Sequence, residues 1–218
     1  MKLKLFLFIV WSAFFINRMN AQENSSAMIY YNNMKAGLNS LNSAKSYQDF
    51  SRAAKQLEEI ALHEDIKWIP YYHATYAYIK AAFISTDTEK ITEILDKAQE
   101  LLDRANKLHP HHSEIHILQG FLYQAKIKID PDKLTNKYLR MAVKEYDHAR
   151  FLNKENPRPY YLIGQILFHL PKEFGGNKEN ACKHFQKAAE RFKRNKPRSE
   201  FFPDWGMQTN QLMLEKCK

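Results

Sequence analysis

Cysteine is nearly absent from this chain, with two in 218 residues, Cys182 and Cys217, and no Cys-x-x-Cys spacing. Cysteine metal frameworks and paired-thiol redox motifs are therefore missing. Glycine and proline are scarce as well, six and eight residues. That is too few for a sandwich or barrel that must turn every ten residues or so, and it suits long helices joined by short loops. Catalytic signatures are also wanting. There is no Gly-x-Ser-x-Gly, no His-Glu-x-x-His, no phosphate loop and no dinucleotide fingerprint. Phe174-Gly175-Gly176-Asn177 lacks the lysine and the preceding strand of a phosphate cradle. Cys182 and His184, two apart on one helix, point in different directions and form no dyad. The chain is expected not to be an enzyme, and no cofactor is implied. What is present is an ordinary globular composition, 44% hydrophobic, 26% charged and 13% aromatic, which argues against disorder.

The first 21 residues read as a secretory signal peptide. Met1-Lys2-Leu3-Lys4 is a short basic start, Leu5 to Ile16 is mostly apolar, and a polar stretch then ends at Ala21. The apolar run is too short to span a bilayer. The remaining chain is expected to have no transmembrane segment and to reside in the periplasm or outside the cell. Cleavage removes three basic residues and no acidic one, leaving 30 basic against 24 acidic side chains. The excess is concentrated between Lys172 and Arg198, where nine basic residues face Glu173, Glu179 and Glu190. For an exported protein nucleic acid is a poor partner. The basic segment 172–198 is either a solvated helix face or a contact for an anionic surface. In an oxidising compartment the two cysteines are expected to pair. A Cys182–Cys217 bridge would close about 36 residues, worth roughly 3–4 kcal/mol by chain entropy.

Internal repetition organises the rest. Ala98-x3-Leu102-x2-Ala105 recurs as Ala142-x3-Tyr146-x2-Ala149 and Ala181-x3-Phe185-x2-Ala188. His116-x2-Gln119-Gly120-x2-Tyr123 recurs as Tyr160-x2-Ile163-Gly164-x2-Leu167. Upstream, Ala53-x3-Leu57-x2-Ile60 leads to Tyr71-x2-Ala74-Thr75-x2-Tyr78. Steps of three and four place each set on one helix face. Small residues let backbones approach, and bulky ones fill the space beside them. One hairpin cannot bury its own stripe, so neighbours must stack.

These motifs resemble the tetratricopeptide repeat (TPR), a helix-turn-helix unit of 34 residues. The chain also looks like secreted TPR proteins of Gram-negative bacteria in its Asn156–Gln165 run, its Phe174-Gly175-Gly176 turn and its late Trp205-Gly206. The resemblance covers about residues 45 to 193 and implies an all-α fold of antiparallel hairpins stacked in a right-handed superhelix. Thr75, Gly120 and Gly164 stand 45 and 44 residues apart, so the hairpins are longer than in the standard repeat. The expected organisation is a signal peptide at 1–21, an irregular N-terminal helix at 22–44, a repeat domain at 45–195 and a capping helix within 196–218. Helices are expected near 27–42, 46–63, 69–85, 88–108, 112–128, 131–153, 157–170, 177–195 and 203–217. Thr86-x-x-Glu89, Asp130-Pro131 and Asn156-Pro157 provide helix starts.

His109, His111, His112 and His116 are the one cluster of metal-ligand type, but His116 occupies a packing position of the repeat and no metal site is assigned. The resemblance implies a concave groove lined by Tyr72, Tyr76 and Ile79, by Ile117, Phe121 and Gln124, and by Tyr161, Gln165 and Phe168. The Lys and Asn of the peptide-carboxylate clamp of chaperone-binding TPRs are absent from these positions. An aromatic groove suits an apolar peptide, a partner helix or a sugar ring. The expected function is a non-enzymatic scaffold that binds a protein or peptide in the cell envelope. The alternative is a small-ligand-binding accessory protein that delivers an apolar or anionic solute to a transporter, and an enclosed pocket of several hundred Å³ would favour it.

Overall fold

The computed structural model describes residue 22 and residues 25–218; the expected signal peptide lies outside the described residues. Helical backbone through 25–43 (α1) is followed by α2 Tyr47–His63, α3 Trp68–Ile84, α4 Thr88–Leu108 and α5 Ser113–Lys126. Then come α6 Pro131–Leu152, α7 Arg158–His169, α8 Lys178–Arg194 and α9 Met207–Glu215. No strand occurs among the described residues. Nor is any described helix long and apolar enough to cross a membrane.

Local chemistry sets the helix starts. Ser46 and Asp49 form a reciprocal capping box on α2, which satisfies two backbone donors that the helix itself cannot. Asp130, with Pro131 behind it, caps α6, and Asn177 caps α8. The start of α4 differs from the Thr86 box: Asp87 is the cap and accepts from the Glu89 and Lys90 amides.

Helices pack in adjacent pairs, α3 on α4, α5 on α6 and α7 on α8, with α2 on the other side of α3. The small-and-bulky repeat is what brings each pair together. A Cβ on Gly120 would stand 2.8 Å from Tyr146 Cδ1, and one on Gly164 would stand 2.7 Å from Phe185 Cε1. Extra length over a 34-residue unit goes largely into the second helices, α4 with 21 residues and α6 with 22. α3 is apolar around its whole circumference because it is covered on several sides, by α2, α4 and α5. α8, at the edge of the stack, buries only Ala181, Phe185 and Ala188.

The C-terminal part departs from the expected helix at 203–217. That helix starts at Met207, after Gly206 takes φ +104, a backbone state that a side chain would strain. The preceding residues run back against α1 and α3. Tyr31 donates to Glu200 at 3.1 Å, the Phe201 ring packs against Tyr30 and Tyr31, and His73 Nε2 meets the Phe201 carbonyl at 2.8 Å. A single capping helix at the far end therefore describes only half of this segment. α9 packs on α8, and a Cys182–Cys217 disulfide joins them.

Candidate functional site: an aromatic cleft closed by the C-terminal segment

Two core clusters meet at Phe121 and Trp205, which pack against both. Beside this junction opens a cleft of about 850 Å³. Tyr76 and Phe83 reach it from α3, Phe121 and Gln124 from α5, Tyr161 and Gln165 from α7, and Trp205 from the C-terminal segment. The rings form a near-parallel layer. Trp205 stacks on Tyr76 at 4.8 Å and 22° and on Phe121 at 5.8 Å and 19°, and Phe83 lies 4.9 Å from Phe121. Lys80, Lys128 and Asp132 add charge to the lining, and Phe174 and His169 are exposed parts of it.

Trp205 is anchored from behind by a buried polar network. Its Nε1–H donates to the Tyr72 hydroxyl at 2.9 Å, and that hydroxyl donates to Glu114 Oε2 at 2.8 Å. Arg158 donates to Glu114 Oε1 at 2.9 Å, and Asn156 donates to the same oxygen at 2.8 Å. The Arg158 guanidinium lies 5.0 Å from the Trp205 ring centroid. Its Nε and Nη2 have no hydrogen-bond acceptor among the described residues, so the aromatic face is the partner left for that side of the cation. Burial raises the Tyr72 hydroxyl far above the ordinary phenol range. It therefore stays a protonated donor.

The groove residues expected from the repeat pattern separate into layers. Tyr76, Phe121, Gln124, Tyr161 and Gln165 line the cleft. Tyr72, Ile79 and Ile117 lie beneath it, each fully buried. The returning segment reaches the first of them, where Trp205 donates to the Tyr72 hydroxyl. Phe168 turns into the second core cluster, 6.1 Å from Phe185. Sequence reasoning missed Trp205, Lys80, Lys128 and the whole Glu114–Arg158 network. One available signal was an arginine, Arg158, opening an otherwise apolar helix.

The histidines divide into two groups. The rings of His109 and His112 lie 4.6 Å apart and pack edge-on and tilted against Trp68, and His112 accepts from the Glu114 amide at the start of α5. His116 Nδ1 lies 2.7 Å from Glu145, with its ring stacked on His148. Among the described residues no three His, Cys, Asp or Glu side chains converge on a metal-sized space.

The fold and cleft define an all-helical protein of paired helices around an aromatic-lined cavity. No family model and no curated protein matches the chain. Among solved structures it is similar to the HusA haemophore from Porphyromonas gingivalis. That match has a TM-score of 0.78 and 25% identity and covers 87% of this chain and 92% of that one.

Proposed function

We propose that this is an exported, non-enzymatic binding protein whose cleft takes a flat, largely apolar small ligand of the haem or porphyrin type, on a TPR-like scaffold. The near-parallel layer of Tyr76, Phe121 and Trp205 carries the reading, because a planar π-system gains most by offset stacking on such a layer. A cleft of about 850 Å³ is within the usual range for small-molecule sites. Similarity to a haemophore adds support, as does the disulfide, which fits an oxidising compartment. The peptide-scaffold expectation is less favoured, because residues 200–205 occupy much of the inner face that a peptide would use.

The donor set fits a tetrapyrrole held by its faces. Burial pushes the Tyr161 hydroxyl up to about 12 and raises Tyr76 further, so neither offers a phenolate at neutral pH. His169 brings an imidazole to the exposed part of the lining. When bound, the group would contribute its own iron chemistry. The protein's part is to stack on it, exclude water from its faces and orient it.

Titration with haem, followed by the Soret band and by tryptophan fluorescence, tests the reading, with the Soret band as the readout for variants at Trp205. Saturable quenching at 1:1 stoichiometry is expected, and Trp205→Ala should weaken binding by on the order of tenfold or more, about 1.4 kcal/mol. No saturable change with haem or metal-free porphyrin would refute the proposal.

A further inference from the structure

The aromatic layer is interrupted by a cation. Tyr76, Lys80 and Phe83 are spaced four and three residues apart on α3, hence on one helix face, and all three line the cleft. Lys80 is only partly exposed, and burial lowers its pKa. Among the described residues it has no carboxylate within ion-pair reach. Its Nζ lies over the Phe50 ring, 5.6 Å from the centroid. A partly desolvated ammonium with so weak a partner is costly, and an anion beside it would offset that cost.

A second cation stands close by. Lys128 follows α5, and its Nζ donates to the carbonyls of Phe83 at 2.6 Å and Ser85 at 2.7 Å. Those carbonyls belong to the C-terminal end of α3, where the helix dipole favours positive charge. An ammonium has three donors, so one remains. Lys128 also has no carboxylate partner among the described residues, and burial lowers its pKa too. Two lysines therefore mark the α3 C-terminal end of the cleft. Against them the lining offers one carboxylate, Asp132, exposed at the start of α6.

We infer that this end of the cleft is an acid-recognition subsite, where Lys80 and Lys128 take the carboxylate edge of an otherwise flat, apolar ligand. The inference rests on the small-ligand reading above and narrows it. The ligand is an amphiphile whose apolar face lies on Trp205, Tyr76 and Phe121 while its acidic edge points towards the end of α3. Charge-assisted hydrogen bonds of this kind are the stronger ones, more so where water is partly excluded.

Protoporphyrin IX, which carries two propionates, and its dimethyl ester are the probes. Binding of each is followed by the shift of the porphyrin Soret band and by tryptophan quenching in the full oxidised chain. The diacid should bind at least tenfold more tightly than the ester. In Lys80→Met the gap should narrow to about twofold, chiefly through weaker diacid binding, and Lys80→Arg should keep most of it. Lys128→Met should narrow the gap in the same direction. Melting curves of each variant separate a folding defect from a binding defect, and Lys80→Arg serves as the folded control. Equal binding of diacid and ester by the wild-type protein would overturn the subsite and leave the small-ligand reading standing. If neither probe binds, both fall together.

Discussion

Arg158 and Glu114 form an ion pair at 2.9 Å across 44 residues of sequence, with their side chains 2% and 8% exposed. Arg158 opens α7 and Glu114 lies in the first turn of α5, so the pair ties one hairpin to the next. Through Tyr72 and Trp205 it also ties both to α3 and the cleft wall.

Breaking that pair leaves a charge buried without its partner. Arg158→Met is expected to destabilise by about 3–5 kcal/mol. Adding Glu114→Gln should cost less than the sum of the two single changes, since they share one network. Chemical denaturation of the two single variants and the double variant measures the coupling.

Gly120 tests the close approach of α5 and α6. Even an alanine there would meet the Tyr146 ring within 3 Å, and Gly120→Leu should cost about 1–3 kcal/mol or more. Gly175 is the contrast. Its Cβ position is open, but φ is +92, so Gly175→Ala should cost only about 1 kcal/mol through backbone strain. Thermal melts of both variants give the order.

His73 makes stability depend on pH. It is 4% exposed, and burial, reinforced by the Arg158 charge, outweighs its hydrogen bond to Phe201 and the carboxylates of Asp204 and Glu114 to lower its pKa to about 4. The unfolded chain binds this proton near pH 6.5 and the folded chain only near 4, so acidification favours unfolding between those values. Stability should be full above pH 6.5 and should fall by up to about 3 kcal/mol towards pH 4. His112 and His184, lowered in the same direction by burial, add to the slope. His73→Gln, which keeps a donor for Phe201, should flatten the profile. Melting temperature measured from pH 8 to 4 checks it.

Much of the helix order was legible because packing in a stacked hairpin is local. Ala142, Tyr146 and Ala149 lie within one element, and the glycine they receive lies on the adjacent one. The cysteine pairing could be read because two cysteines in an oxidising compartment have only each other to pair with. The site was legible only in part. Tyr76, Phe121 and Tyr161 stand at positions that the repeat resemblance implies, whereas Trp205 arrives on a segment outside the repeats and from 133 residues beyond Tyr72. Glu114 has no signal of its own until Arg158 is brought beside it. The return of residues 200–205 is likewise set by contacts to α1 and α3 that no nearby sequence encodes.

That return changes the cooperativity of the molecule. In an open solenoid each unit touches only its neighbours, and terminal units fray independently. Here Glu200 bonds to Tyr31 across 169 positions, and the same tail is fastened to α8 by the disulfide. The first helix and the C-terminal segment are thus coupled, and fraying of α1 strips Phe201 and Glu200 of their partners. Such distant contacts form slowly, because a long loop must close before any of them is made. During synthesis, the Trp205 wall of the cleft is missing until nearly the whole chain has emerged. The cleft is thus among the last parts of the protein to take shape.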